Sequence, residues 1–183
     1  MRPLLRILIV LFCIGAGSAL ADSANSDPTL FVSVVNTARV QEKVMSVAKT
    51  HVEQIYSAAG IRVVWRKQND PNLDRNAALL TLVIVEQCVN KQTCQDPAAT
   101  GTALGNDHYG AKMAYAFFGR VFQLAFKLGR ITGIECPDGV ILGDTIAHEL
   151  GHLLLPAGHS DSGLMAATMD TAALQAAARG ELL

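Results

Sequence analysis

Apolar and polar positions along the chain follow two periods, one of a strand and one of a helix. Leu30-Phe31-Val32-Ser33-Val34-Val35 has the β-branched and aromatic composition of a strand. From Ala38 to Ala59 the apolar residues Val40, Val44, Ala48, Val52, Ile55 and Ala59 recur every three or four positions. Gln41, Glu42, Lys49 and Glu53 fall on other faces and Gly60 closes the run, the pattern of a long amphipathic helix with a glycine stop. His51 lies beside that stripe and reads as a partly buried helix histidine. Ile61–Trp65 is a second strand, Asn69–Asn76 a loop rich in Asn, Asp and Pro, and Leu79–Val85 a third, nearly all-apolar strand. Gln87 to Tyr109 reads as irregular, and so long a loop in a compact domain is functional or cross-linked. Lys112–Phe118 suits a further strand and Arg120–Leu128 a short helix. Strand, helix, strand, strand implies an α+β domain in which a mixed sheet is packed by the long helix. No internal repeat or linker divides the chain.

The first 21 residues follow a different logic. Arg2 and Arg6 precede the apolar and small run Ile7–Ala16, which ends in Ala19-Leu20-Ala21. This is the layout of a secretory signal peptide cleaved before Asp22, the run being short of the ~20 apolar residues of a spanning helix. The mature chain, residues 22–183, is then one domain of a secreted or periplasmic protein with no stable membrane anchor. It keeps 13 basic and 16 acidic residues, a balance that excludes a broadly basic nucleic-acid binder. In an oxidising compartment Cys88 and Cys94 form the natural local disulfide and leave Cys136 unpaired.

The chemistry concentrates in Asp144–Leu155, where His148-Glu149-Leu150-Gly151-His152 sits within an apolar helical pattern. A spacing of four puts both imidazoles on one helix face, one turn apart, so both reach one tetrahedral zinc ion while Glu149 stands beside them as a general base. Ile146, Ala147, Leu150, Leu153 and Leu154 make the helix apolar nearly all round, and two histidines and a glutamate buried there without a partner cost several kcal/mol. A catalytic zinc keeps one coordination position open and takes three protein ligands. Candidates for the third are His159, Asp161, Asp170 and Glu181 downstream and His51 and His108 upstream. His159 is favoured, because Pro156 and Gly158 stop the helix and turn the chain back.

The run from His148 to Ser160 resembles the zinc-binding consensus of the metzincin metallopeptidases, most closely its matrixin version, and Gly163-Leu164-Met165 resembles their Met-turn. The resemblance implies a zincin-like domain with His148, His152 and His159 on zinc, Glu149 as general base and Met165 beneath the metal, with Met169 as fallback. The family has glycine three residues after the second histidine and the third histidine six after it. Here Leu155 and Gly158 hold those places and the histidine comes one later. No tyrosine follows Met165, so the extra tyrosine ligand of some metzincins is absent. Thr171–Leu182, rich in Ala and Leu, is expected to form a terminal helix behind the site.

The function implied is hydrolysis of peptide bonds by zinc-activated water, with a peptide or protein substrate lying along an exposed edge strand. Thr100–Gly105 and Lys112–Phe118 are the two candidates for that edge. His108 and Tyr109 could stabilise an oxyanion, although a solvated loop is the better reading. Asp144 could bond a ligand histidine or sit near the N-terminal end of its helix. A zinc-stabilised secreted binding domain without turnover is the alternative, and hydrolysis of a different amide is a third. Exported protein is expected to begin at Asp22, which N-terminal sequencing checks; a chain retaining Met1 would overturn the cleaved leader.

Overall fold

A computed structural model describes residues 28–67, 79–91, 93–105, 112–133, 137–156, 158–167, 171–179 and 181. The proposed leader, the Asn69–Asn76 loop, His108, Tyr109, Cys136, Met169 and Asp170 lie outside the described residues. Strand β1 (Thr29–Asn36) leads into helix α1 (Glu42–Ala58), and β2 (Arg62–Arg66), β3 (Leu79–Val85), β4 (Gly101–Gly105) and β5 (Lys112–Phe117) follow. Three further helices are α2 (Phe118–Thr132), α3 (Asp138–Leu154) and α4 (Thr171–Ala178). The strands form one five-stranded mixed sheet in the order β2-β1-β3-β5-β4. All its pairings are parallel except β4 with β5. The α+β class read from the sequence is the one observed.

Several boundaries differ from those read in the sequence. The long helix starts four residues late because the Asn36 side chain occupies the backbone that would open it, its Nδ2 donating to the Val40 carbonyl and its Oδ1 accepting from the Val40 amide. A short amide side chain that bonds backbone locally competes with helix, and Arg39 takes φ 54° in the resulting turn. Helix α2 is longer than Arg120–Leu128 at both ends. Gly101–Gly105, within the stretch read as irregular, is a strand, and α4 stops at Ala178.

Register explains where the core lies. Along β1 and β3 the residues facing the helices are large: Leu30, Val32, Leu80, Leu82 and Ile84 are all buried. At the β5–β4 side they shrink to Ala114, Ala116, Gly101 and Ala103, the first two opposite the last two in register. Small side chains there let α3 lie close to the sheet, where it contacts β3, β4 and β5 while α1 contacts β2. Tyr56, buried on α1, donates its hydroxyl to the Ala147 carbonyl of α3 at 3.1 Å, and burial pushes its phenol pKa up.

The Cys88–Cys94 disulfide is formed, with Cα atoms 5.3 Å apart. Its loop is tied to α2 by Arg120, which donates to the carbonyls of Asp96 and Ala99 at 3.0 and 2.7 Å. Thr100, next in the chain, accepts the Thr145 hydroxyl of α3. Among the described residues no helix is long and apolar enough to cross a membrane. Tyr56→Phe is expected to lower folding stability by about 1 kcal/mol, the usual net worth of such a bond; an unchanged urea midpoint would show that the Ala147 contact carries nothing.

Candidate metal centre

Helix α3 is buried from Ile141 to Ala147 and again at Glu149, Leu150, Gly151 and Leu153. It carries His148 and His152 towards its C-terminal end. It stops where the sequence requires, since Pro156 pushes Leu155 out of the helical region to φ −101°, ψ 160°. Gly158, at φ 131°, then takes a conformation few other residues adopt, and the chain returns with His159 against the helix. Lys112 on β5 supports this end from below, its Nζ donating to the Leu153 carbonyl at 2.9 Å, where a cation also suits the helix dipole.

The ligand nitrogens of His148, His152 and His159 lie within 4.8 Å of one another. The Nε2 atoms of His148 and His152 are 3.0 Å apart, and the His159 ring stacks on His148 with centroids separated by 5.4 Å. His148 Nδ1 donates to the Leu164 carbonyl at 2.7 Å. That bond fixes the tautomer with the lone pair on Nε2, facing the other two rings, the arrangement by which outer carbonyls orient metal-binding histidines. Burial lowers the pKa of both His148 and His152, with further lowering by the neighbouring histidines, so the neutral, ligating form is favoured. Three imidazoles meeting this way are a donor set for a divalent transition metal.

Of the other candidate third ligands, His51 is buried and pairs with Asp144 Oδ1 at 2.8 Å, and Glu181 pairs with Arg179. Asp161 is exposed in the loop after His159 and stands outside the histidine cluster. Asp144 lies mid-helix, so neither expectation for it holds: it bonds no ligand histidine and it is far from the helix start. It answers to a residue 93 positions earlier, a partner that no local pattern announces.

Glu149 is 6% exposed, and burial pushes its carboxyl pKa up to about 8. It packs under the edge strand at Gly101, where a Cβ would lie 2.6 Å from Glu149 Cγ and 2.8 Å from its Oε1. Gly151 plays the corresponding part on the helix, since a Cβ there would lie 2.5 Å from Met165 Sδ. Met165 therefore sits against the turn of α3 between the two helical histidines, and its neighbour Leu164 holds His148. Sequence reasoning found Met165 but missed Gly101, Gly151 and the Leu164 carbonyl. A glycine inside a strand, and one inside a buried helix, were the available signals. Of the two candidate edge strands, β4 lies at an edge of the sheet among the described residues and β5 lies inside it, paired on both sides.

No family model, curated protein or solved structure matches the chain. The site therefore stands on its own geometry. His159→Ala is expected to cut zinc taken up on reconstitution well below the wild-type value of about one per chain, as read by elemental analysis; equal loading would remove His159 from the donor set. Gly101→Val is expected to cost about 1–3 kcal/mol by overpacking against Glu149, and an unchanged thermal midpoint would show that β4 yields there freely.

Proposed function

We propose that the protein is an exported zinc metallopeptidase with a zincin-like domain of metzincin type. The observation that carries this reading is the convergence of the His148, His152 and His159 nitrogens beside Glu149, whose side chain packs against an edge strand. Three nitrogen ligands, two of them disposed towards the neutral form, suit zinc and leave a coordination position open. A bound zinc ion lowers the pKa of a water towards ~7 and polarises the carbonyl under attack.

Glu149 accepts a proton from the attacking water at its carboxylate and returns it to the leaving amine nitrogen. A carboxyl whose burial raises its proton affinity is suited to both halves of that exchange. Edge strand β4 offers main-chain N–H and C=O groups to an extended peptide, and Gly101, with no side chain, lets Glu149 pack close beneath that strand. Leu164 orients His148, and Met165, which the resemblance puts beneath the metal, packs against Gly151.

Glu149→Ala is expected to keep about one zinc per chain while hydrolysis of a quenched-fluorescence peptide library falls by ~10²–10⁴, the usual worth of a positioned general base. Near wild-type turnover in the zinc-loaded variant would sink that role. A zinc-loaded wild type that cleaves no peptide in the library would favour the zinc-stabilised binding domain.

A further inference from the structure

Helix α1 and the metal-bearing helix meet along a stripe of small residues at a four-residue repeat, Gly139, Gly143 and Ala147. A Cβ on Gly139 would lie 2.7 Å from Val47 Cβ and 2.9 Å from the Val44 carbonyl oxygen. One turn on, a Cβ on Gly143 would lie 2.9 Å from His51 Cβ and 3.0 Å from the Ala48 carbonyl oxygen. Each step of four along α3 thus matches a step of four along α1. Such a contact is nearly self-similar under a shift of one turn, about 5.4 Å. Moving α3 so that Gly139 takes the place of Gly143 keeps glycine opposite His51, although it also brings Asp138 to the buried place of Leu142. The Tyr56 hydroxyl does not forbid the move, because it bonds a backbone carbonyl and every turn of a helix supplies one.

His51 and Asp144 mark one register directly at that contact. Both are buried, at 5% and 0% exposure, and His51 Nε2 meets Asp144 Oδ1 at 2.8 Å. After a one-turn shift Val140 would stand opposite His51, leaving a buried imidazole and a buried carboxyl each without the other, which burial disfavours. The same shift would carry Asp144 into the place of His148, beside the Leu164 carbonyl, and take the donor set apart. Asp144 Oδ2 has no partner among the described residues. A group that meets half of its hydrogen-bonding capacity is a poor way to gain stability and a good way to mark one position along a helix. We infer that His51 and Asp144 are positioning residues that set the register of α3 on α1 and thereby present the three histidines for metal. The inference rests on the metal-centre reading of those histidines.

The test uses the mature chain and separates register from stability. In His51→Leu/Asp144→Ala both partners become apolar with little change in summed volume, so the thermal midpoint of the metal-free protein should stay close to wild type. Zinc affinity, measured by competition with a chromophoric chelator, should fall at least ~10-fold. The NOE between the Tyr56 ring and the Ala147 methyl in the metal-free chain should weaken or disappear. Val52→Ala, which opens a cavity in α1 with the pair intact, should lower the midpoint and leave affinity and NOE alone.

His51→Gln and Asp144→Asn, which keep one hydrogen bond across the pair, should hold zinc within about threefold of wild type. Should the double variant fail to fold, these two decide, since a tenfold loss of affinity with the bond still available overturns the register role. Wild-type affinity and NOE in the folded double variant, or affinity that merely follows the midpoint across the set, would also overturn it. A wild type that takes up no zinc sinks the metal-centre reading alone, because the NOE reads register in the metal-free chain.

Discussion

A helix buried along most of its length must find a partner for each polar side chain it carries, and α3 carries Asp144, Thr145, His148, Glu149 and His152. Each is met by a different part of the chain. His51 comes from α1 to Asp144, Thr100 from the start of β4 to Thr145, and the Leu164 carbonyl from the loop beyond the helix to His148. Glu149 has the backbone of β4 over it, and His152 faces His148 and His159. The rest of the molecule is arranged around these meetings. Apolar burial supplies the driving force for docking α3 on the sheet, and the polar contacts add direction to it.

Close approach is the second requirement, and it is met by omission. Where α3 crosses α1 there is Gly143, where it lies under the edge strand there is Gly101, and where Met165 enters there is Gly151. The sheet gives way in the same manner, its helix-facing residues falling from leucine and isoleucine on β3 to alanine on β5. A side chain at Gly143 would press on the backbone of α1 and one at Gly101 on Glu149 and the Tyr115 carbonyl, whereas at Gly151 the flexible end of Met165 would give way first.

Much of this was legible in the sequence. The strand and helix periods placed β1, α1, β2, β3 and β5, and the histidine spacing with Pro156 and Gly158 pointed to the three imidazoles that the fold brings together. Features decided by distant neighbours were out of reach. Nothing around Asp144 indicates that its partner is His51, because the two meet only when α1 and α3 cross. Asn36 displaced the start of α1 through a side-chain bond that an apolar repeat does not register. Helix α2 has no side-chain cap at Phe117, so its start carried no signal, whereas Gly133, left-handed at its C-terminal end, was an available stop that went unread. The edge strand was named by position as one of two candidates, but its Gly-Thr-Ala-Leu-Gly run is too small and short to show alternation, so nothing in it decided between them.

The two margins of the sheet are unlike. Strand β2, at one side, ends in Arg62 and Arg66 and bears Trp65, whose indole N–H donates to Glu53. Strand β4, at the other, has no charged residue from Gly101 to Gly105. Charge on an outer strand discourages a second molecule from adding to it, whereas an uncharged margin leaves that route open. Of the two margins, β4 is therefore the one less guarded against the addition of a further strand.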